Sequence, residues 1–120
     1  MLGLRTAIYP VSDLEAAKQW YAQVFKSEPY FDQPFYVGFE IGGFELGLIP
    51  DGSPSLNGVQ VYWGVENATT TWEWLLQHQA TPLEPIHDVG GGILVASVQD
   101  PFGNRLSIIE NPHFQVSKVR

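Results

Sequence analysis

Glu45 is the residue whose type and position most strongly suggest chemistry. It is the second residue of FELGLI (44–49), a segment whose apolar pattern predicts a strand. A carboxylate in a half-buried strand is costly unless it is paired or hydrogen-bonded. Three interpretations stay open: a ligand-binding group or general base, a salt bridge with Arg105, and a solvated outward position.

Other reactive side chains are less well placed for catalysis. Ser107 would need a neighbouring His or Lys to take its proton, and the sequence predicts none nearby. His78 falls in a predicted helix, His87 in a proline-rich loop and His113 after the last strand, so each is interpreted as a solvated surface residue. The absence of cysteine removes thiolate catalysis, disulfides and cysteine-based metal sites.

The composition indicates one soluble acidic domain over residues 1–120. Six Lys and Arg oppose thirteen Asp and Glu, giving a net charge of −7, and 44% of residues are hydrophobic. Scattered basic residues do not form the cationic stripe that nucleic-acid binding requires. No apolar run reaches the length of a spanning helix, and no secretory signal region is evident. We therefore expect a cytoplasmic protein with neither nucleic-acid nor membrane partners.

The first half of the chain predicts a strand, a helix and a hairpin. Residues 4–11 have a strand pattern. Ser12 followed three residues later by Glu15 has the capping-box spacing, which predicts a helix from near Asp13 to near Lys26. Two prolines interrupt the next stretch. The hairpin then consists of 35–41 and 44–49, joined by Gly42 and Gly43.

The second half repeats this order after a turn-rich linker at 51–58. A strand at 59–65, an Asn67 cap and a helix at 68–80 are followed by a loop around Pro82 and Pro85, and then by strands at 91–99 and 105–110. The modules are therefore predicted as about 1–50 and about 59–113, with a tail at 114–120. Two copies, too few for a solenoid, indicate a duplicated α+β domain.

Three short motifs carry a resemblance to a known family. PVSDL (10–14) enters the first helix, and DPFGN (100–104) precedes a last strand that closes with IIENP (108–112). Together with the duplication, this order resembles the vicinal oxygen chelate superfamily, which includes glyoxalase I, extradiol dioxygenases and the fosfomycin and bleomycin resistance proteins. The resemblance implies two βαβββ modules forming a cup-shaped mixed sheet with helices on the outer face. It also implies a homodimer, and exposed Phe35, Phe39 and Phe114 are expected to favour association.

The resemblance also implies four metal-ligand positions, which fall on Thr6, Glu45, Gln60 and Ser107. Thr6 and Ser107 are neutral hydroxyls, whereas a catalytic divalent metal normally has at least three His, Asp or Glu ligands. No cofactor is therefore expected, with a divalent metal kept as the alternative.

Side-chain alternation separates a helix-facing set from a set that faces the cup. Phe44, Leu46 and Leu48 should lie beneath the first helix. The cup should present Thr6, Glu45, Gln60, Tyr62, Arg105 and Ser107, with Tyr36, Tyr62 and Phe35 as candidates to stack on a flat ligand.

Three functions stay open for this arrangement. The first is metal-independent binding of a small organic molecule in the cup between the modules, in the manner of bleomycin resistance proteins. The second is a glyoxalase-like lyase, isomerase or dioxygenase with Glu45 as base or partial metal ligand. The third is a dimeric accessory domain without a ligand.

Overall fold

The computed structural model describes residues 4–57 and 60–118, which form two units with the same order of elements. The first unit contains β1 (Thr6–Pro10), α1 (Leu14–Phe25), β2 (Phe31–Gln33), β3 (Tyr36–Ile41) and β4 (Phe44–Ile49). The second contains β5 (Tyr62–Gly64), α2 (Ala68–Gln77), β6 (Thr81–Asp88), β7 (Leu94–Gln99) and β8 (Arg105–Glu110), and a 3₁₀ turn, Val116–Lys118, follows.

Each unit has a four-stranded mixed sheet. The strand orders are β1-β4-β3-β2 and β5-β8-β7-β6. In each, the first and last strands of the module pair in parallel, and the other pairs are antiparallel. The α+β class and the duplicated βαβββ module are thereby confirmed. Contacts group residues 4–56 and 102–104 into the first unit, and 57, 60–101 and 105–118 into the second.

The core of the first unit lies between α1 and one face of its sheet. Leu46 and Leu48 are fully buried there, as predicted for residues beneath the first helix. Phe39 is also 0% exposed, so the expectation that it lies on an exposed surface is wrong. Phe39 is the cross-strand partner of Leu46, and cross-strand partners share a face of the sheet; its ring therefore faces the core.

The start of α1 differs by one residue from the prediction. Asp13, not Ser12, is the N-cap: it has extended backbone angles, and its carboxylate accepts a hydrogen bond of 3.0 Å from the Ala16 amide. A carboxylate at this position satisfies an amide that has no partner within the helix and interacts favourably with the helix dipole. The helix ends at Phe25, and Lys26 caps it in the left-handed conformation.

The predicted hairpin is confirmed as β3 and β4. Gly42 and Gly43 have φ angles of 58° and 91°, and two successive positive φ angles are typical of the tight turn that joins such strands. Ile41 therefore pairs with Phe44, and every later pair along the two strands follows from that register.

The sequence pattern did not locate two of the strands that the βαβββ modules contain. The segment around Pro82 and Pro85, expected as a loop, is strand β6, and a short strand, β2, lies between the two prolines of the first half. Both are at sheet edges, where a residue without an N–H is tolerated. The β6–β7 ladder shifts register between Pro82 and Glu84 and again between Glu84 and His87.

The first strand and the helix of the second module are shorter than the sequence pattern predicted. The predicted strand 59–65 narrows to Tyr62–Gly64, and Val59 lies outside the described residues. Asn67 caps α2 as predicted, accepting a hydrogen bond of 2.9 Å from the Thr70 amide. The helix ends at Gln77, because Gln79 has a left-handed φ of 66°. Within the described ranges, no helix is both long and apolar enough to cross a membrane.

Candidate functional site

Glu45 lies on the face of the first sheet opposite the α1 core, which we call the Glu45 face. The register places Thr6 beside Glu45, and Phe31, Gly38 and Gly47 beside one another across β2, β3 and β4. Because cross-strand partners share a face, the Glu45 face comprises Thr6, Ile8, Pro10, Phe31, Gln33, Tyr36, Gly38, Glu40, Glu45, Gly47 and Ile49.

A pair of glycines makes room for two tyrosine rings on this face. A Cβ at Gly47 would lie 2.2 Å from the Tyr36 hydroxyl and 2.7 Å from its Cζ. A Cβ at Gly38 would lie 3.2 Å from the Tyr36 ring and 3.3 Å from the Tyr30 ring. Glycine in a strand interior often marks such a close approach, so these two positions form a floor for the rings.

Both tyrosine hydroxyls donate hydrogen bonds to Glu45, Tyr30 to Oε1 and Tyr36 to Oε2. These bonds, that from Tyr30 foremost, lower the pKa of Glu45 below its usual 4.5. The hydrogen bond to Glu45 is the main cause of the raised pKa of Tyr30, whereas burial is the main cause of the raised pKa of Tyr36. At neutral pH the cluster therefore contains an ionised carboxylate held by two neutral phenols.

The hydrogen bonds of Tyr30 and Tyr36 to Glu45 should make the free energy of unfolding depend on pH. A carboxylate whose pKa is lower in the folded than in the unfolded state stabilises the fold fully above its unfolded pKa, and that stabilisation is lost as the pH falls through the folded pKa. As the pH drops below 4.5, the wild-type protein should lose stability relative to Glu45→Gln. Chemical denaturation of both proteins from about pH 6 to about pH 3 measures this difference; parallel curves would contradict it.

Aromatic residues border the cluster and give it an apolar rim. The Phe31 ring lies 6.0 Å from that of Tyr36 and 6.1 Å from that of Phe35, both in edge-to-face geometry. Tyr30 and Phe35 are 63% and 64% exposed, and Ile8 is 52% exposed. A flat molecule resting on these side chains would reach the carboxylate with its polar end.

The corresponding face of the second sheet presents Tyr62 and a buried serine pair. Tyr62 is exposed, is the cross-strand partner of Ser107, and donates a hydrogen bond of 2.9 Å to the Gln60 side chain. The Ser107 hydroxyl is 0% exposed and lies 2.8 Å from that of Ser97. The Ser107 hydroxyl thus has a protein partner and is shielded from solvent.

Arg105 and the three histidines have other partners. Arg105 forms an ion pair of 2.9 Å with Glu84. The rings of His78 and His87 each contact a backbone carbonyl at 2.8 Å, and that of His113 does so at 2.7 Å. His87 lies in β6, not in a loop as predicted. Over residues 4–57 and 60–118, no three His, Asp or Glu side chains come together as a metal site would require.

Comparison with protein-family models identifies the family to which the chain belongs. The Glyoxalase/Bleomycin resistance protein/Dioxygenase superfamily model matches residues 3–108. The chain belongs to this superfamily. None of the curated proteins matches the sequence at a significant level.

Solved structures of glyoxalase-type proteins share the fold. A glyoxalase-related enzyme from Fulvimarina pelagi is 22% identical with a TM-score of 0.78, covering 97% of this chain and 93% of its own. A superfamily member from Sphaerobacter thermophilus has 18% identity and a TM-score of 0.76 over 92% and 98% of the two chains. Lactoylglutathione lyase from Agrobacterium tumefaciens has 21% identity and a TM-score of 0.70 over 94% and 98%.

The metal that the resemblance implies does not fit the residues at the four positions. Both Glu45 oxygens accept phenolic hydrogen bonds, and the Ser107 hydroxyl is buried against Ser97. Thr6 offers only a neutral hydroxyl and Gln60 only a neutral amide, and both groups are poor ligands for zinc or iron. A single carboxylate is the only anionic donor of the set, fewer than a catalytic divalent metal normally has.

Equivalent hydrogen bonds define how the two units correspond. Val11 N–H donates to Ile49 O at 2.8 Å, and Val65 N–H donates to Ile109 O at 2.9 Å. Counting back four residues from Ile49 and from Ile109 makes Arg105 the counterpart of Glu45. By the same count, the paired Ser97 and Ser107 correspond to the paired Gly38 and Gly47.

The predicted site residues therefore form two groups. Thr6 and Glu45 are neighbours in the first unit, whereas Gln60, Tyr62, Arg105 and Ser107 belong to the second. Tyr30 was not among the predicted site residues, and Tyr36 was only a stacking candidate. The signal that could have found them is the glycine at 38 and 47, at alternating strand positions on the same face as Glu45.

Proposed function

We propose that this superfamily member binds a small planar or amphipathic organic molecule on the Glu45 face, without a bound metal. The observation that carries the proposal is the Tyr30–Glu45–Tyr36 cluster on its glycine floor, bordered by exposed aromatic rings. Few well-placed polar groups amid apolar surface are typical of ligand sites. The net charge of −7 would also attract a cationic ligand by electrostatic steering.

The enzymatic alternative is less well supported. A general base works best when its pKa lies near the operating pH, but the phenolic hydrogen bonds lower the pKa of Glu45 below 4.5. Both carboxylate oxygens are already acceptors. This arrangement favours a group that binds a ligand over one that removes a proton from it.

A ligand screen read by tryptophan fluorescence tests the proposal. Glu45→Gln keeps the size of the side chain but removes its charge, so cationic hits should bind at least about fivefold more weakly, a loss of about 1 kcal/mol. Glu15→Gln makes the same change at an exposed carboxylate of α1, on the opposite face of the same sheet, and should leave the affinity unchanged. Hits that bind Glu45→Gln and wild-type protein equally would refute the proposal.

We also propose that the protein is a homodimer. Phe35 and Phe114 are 64% and 62% exposed, and exposed large apolar side chains often lie at contacts between protein chains. Sedimentation velocity at micromolar concentration should show a species of twice the chain mass. A single species of 13.4 kDa would contradict this proposal and leave the ligand proposal unaffected.

A further inference from the structure

Tyr30 and Tyr36 hold the same carboxylate but are anchored very differently. Tyr36 belongs to β3, is partly buried, and its ring covers Gly47. Tyr30 precedes β2, belongs to no strand and is 63% exposed. Its backbone N–H donates a hydrogen bond of 3.0 Å to Gly38 O. Because Tyr30 is more exposed than Tyr36 and lies outside the strands, its side chain can leave Glu45 at a lower cost in packing.

The Glu45 face has no cation of its own. All its side chains lie between residues 6 and 49, a range described throughout, and none of them is Lys or Arg. The nearby Glu40 carboxylate accepts a hydrogen bond of 2.9 Å from the Gly43 amide and so stabilises the turn. Glu45 is thus an ionised carboxylate whose two hydrogen-bond donors on this face are neutral phenols.

We propose that Tyr30 is a displaceable latch on Glu45, and that the ligand is an organic cation with N–H donors and a flat apolar part. This inference rests on the proposed function. An ammonium N–H would take the place of the Tyr30 hydroxyl at Glu45 Oε1, forming a charged hydrogen bond that is stronger than the neutral-donor bond it replaces. The flat part would rest against Tyr36 and Phe31, where ring faces also attract positive charge.

The latch makes the site selective for cations that can donate an N–H hydrogen bond to Glu45. A quaternary ammonium has no N–H and cannot replace the hydroxyl of Tyr30 at the carboxylate, so Tyr30 would remain in place. An amine must first break the Tyr30–Glu45 hydrogen bond, and that cost reduces its affinity. Removing the Tyr30 hydroxyl should therefore strengthen amine binding specifically, an effect that a merely structural tyrosine would not produce.

Calorimetric titration with benzylamine and benzyltrimethylammonium, which share a ring and a positive charge, tests the latch. Tyr30→Phe should bind benzylamine about five- to tenfold more tightly than wild type, because the Tyr30–Glu45 hydrogen bond that benzylamine must otherwise break is absent. Its affinity for benzyltrimethylammonium should stay within about twofold. Glu15→Gln, which neutralises an exposed carboxylate on α1 at the opposite face of the same sheet, is the control and should change neither. In Tyr30→Phe, adding Glu45→Gln should abolish the gain.

Three outcomes would overturn the latch. They are equal or weaker benzylamine binding by Tyr30→Phe, an equal gain for both compounds, and no benzylamine binding by wild type or Tyr30→Phe at the highest concentration reached. If screen hits still depend on Glu45 in these cases, the proposed function stands without the latch. If the hits bind independently of Glu45, the proposed function fails as well.

Discussion

Gly47→Ala should displace the Tyr36 ring and lower the free energy of unfolding by about 2 kcal/mol. The added methyl group would lie 2.2 Å from the Tyr36 hydroxyl and 2.9 Å from its Cε1, distances that no packed structure tolerates. Tyr36 would have to leave Glu45 and lose its packing. The modest gain that alanine brings to a strand over glycine does not offset that loss.

Gly64→Ala is the matched control for this substitution. Gly64 is also a strand glycine, but a Cβ there would meet nothing within 4 Å, and its φ is not in the left-handed region. Urea denaturation should find Gly64→Ala as stable as wild type or slightly more so. Gly47→Ala should also bind screen hits more weakly. If both variants are equally stable, the glycine floor is not needed for Tyr36.

Ser107→Ala should destabilise the protein by about 2 kcal/mol because it leaves a buried hydroxyl without a partner. Ser107 and Ser97 are 0% and 4% exposed, and their hydroxyls are 2.8 Å apart. The cost of a lost hydrogen bond is greatest when one partner remains buried and unsatisfied, and removing both partners together is much less costly.

A double-mutant cycle separates this structural role from a ligand-binding one. The Ser97→Ala and Ser107→Ala double variant should be more stable than Ser107→Ala alone, and thermal denaturation of the four proteins measures the coupling. A double variant less stable than either single one would contradict the pairing. Unchanged affinity of the double variant for screen hits is also expected.

Local patterns predicted the elements that depend on neighbouring residues. The Gly42–Gly43 turn and the Asn67 cap are both formed by residues within three or four positions of each other. Pro82 and Pro85 suggested a loop because proline cannot donate to a ladder, and only the edge position of β6 explains why a strand is tolerated. Ser12 and Asp13 are both good N-caps; the capping-box spacing favoured Ser12, but Asp13 is the cap.

The part of the candidate site that depends on neighbouring residues was predictable from the sequence. The hairpin turn fixes the pairing of Ile41 with Phe44, and the Gly38–Gly47 pair follows by counting. Glu45 was chosen because a strand carboxylate needs a partner. The identity of that partner was not predictable: Tyr30 is fifteen residues away, and its ring reaches Glu45 only because the chain between α1 and β2 brings it back over Gly38.

The most direct test of a binding site at Glu45 is to map a screen hit onto the protein by ¹H–¹⁵N NMR. We expect the largest shifts at the amides of Gly38, Gly47 and Tyr30, with loss of those shifts in Glu45→Gln. A concave surface of about 360 Å³ beside α1, lined by Lys18, Gln19, Gln23 and Asp32, provides the contrast. Shifts confined to those residues, or to the second unit, would contradict a binding site at Glu45.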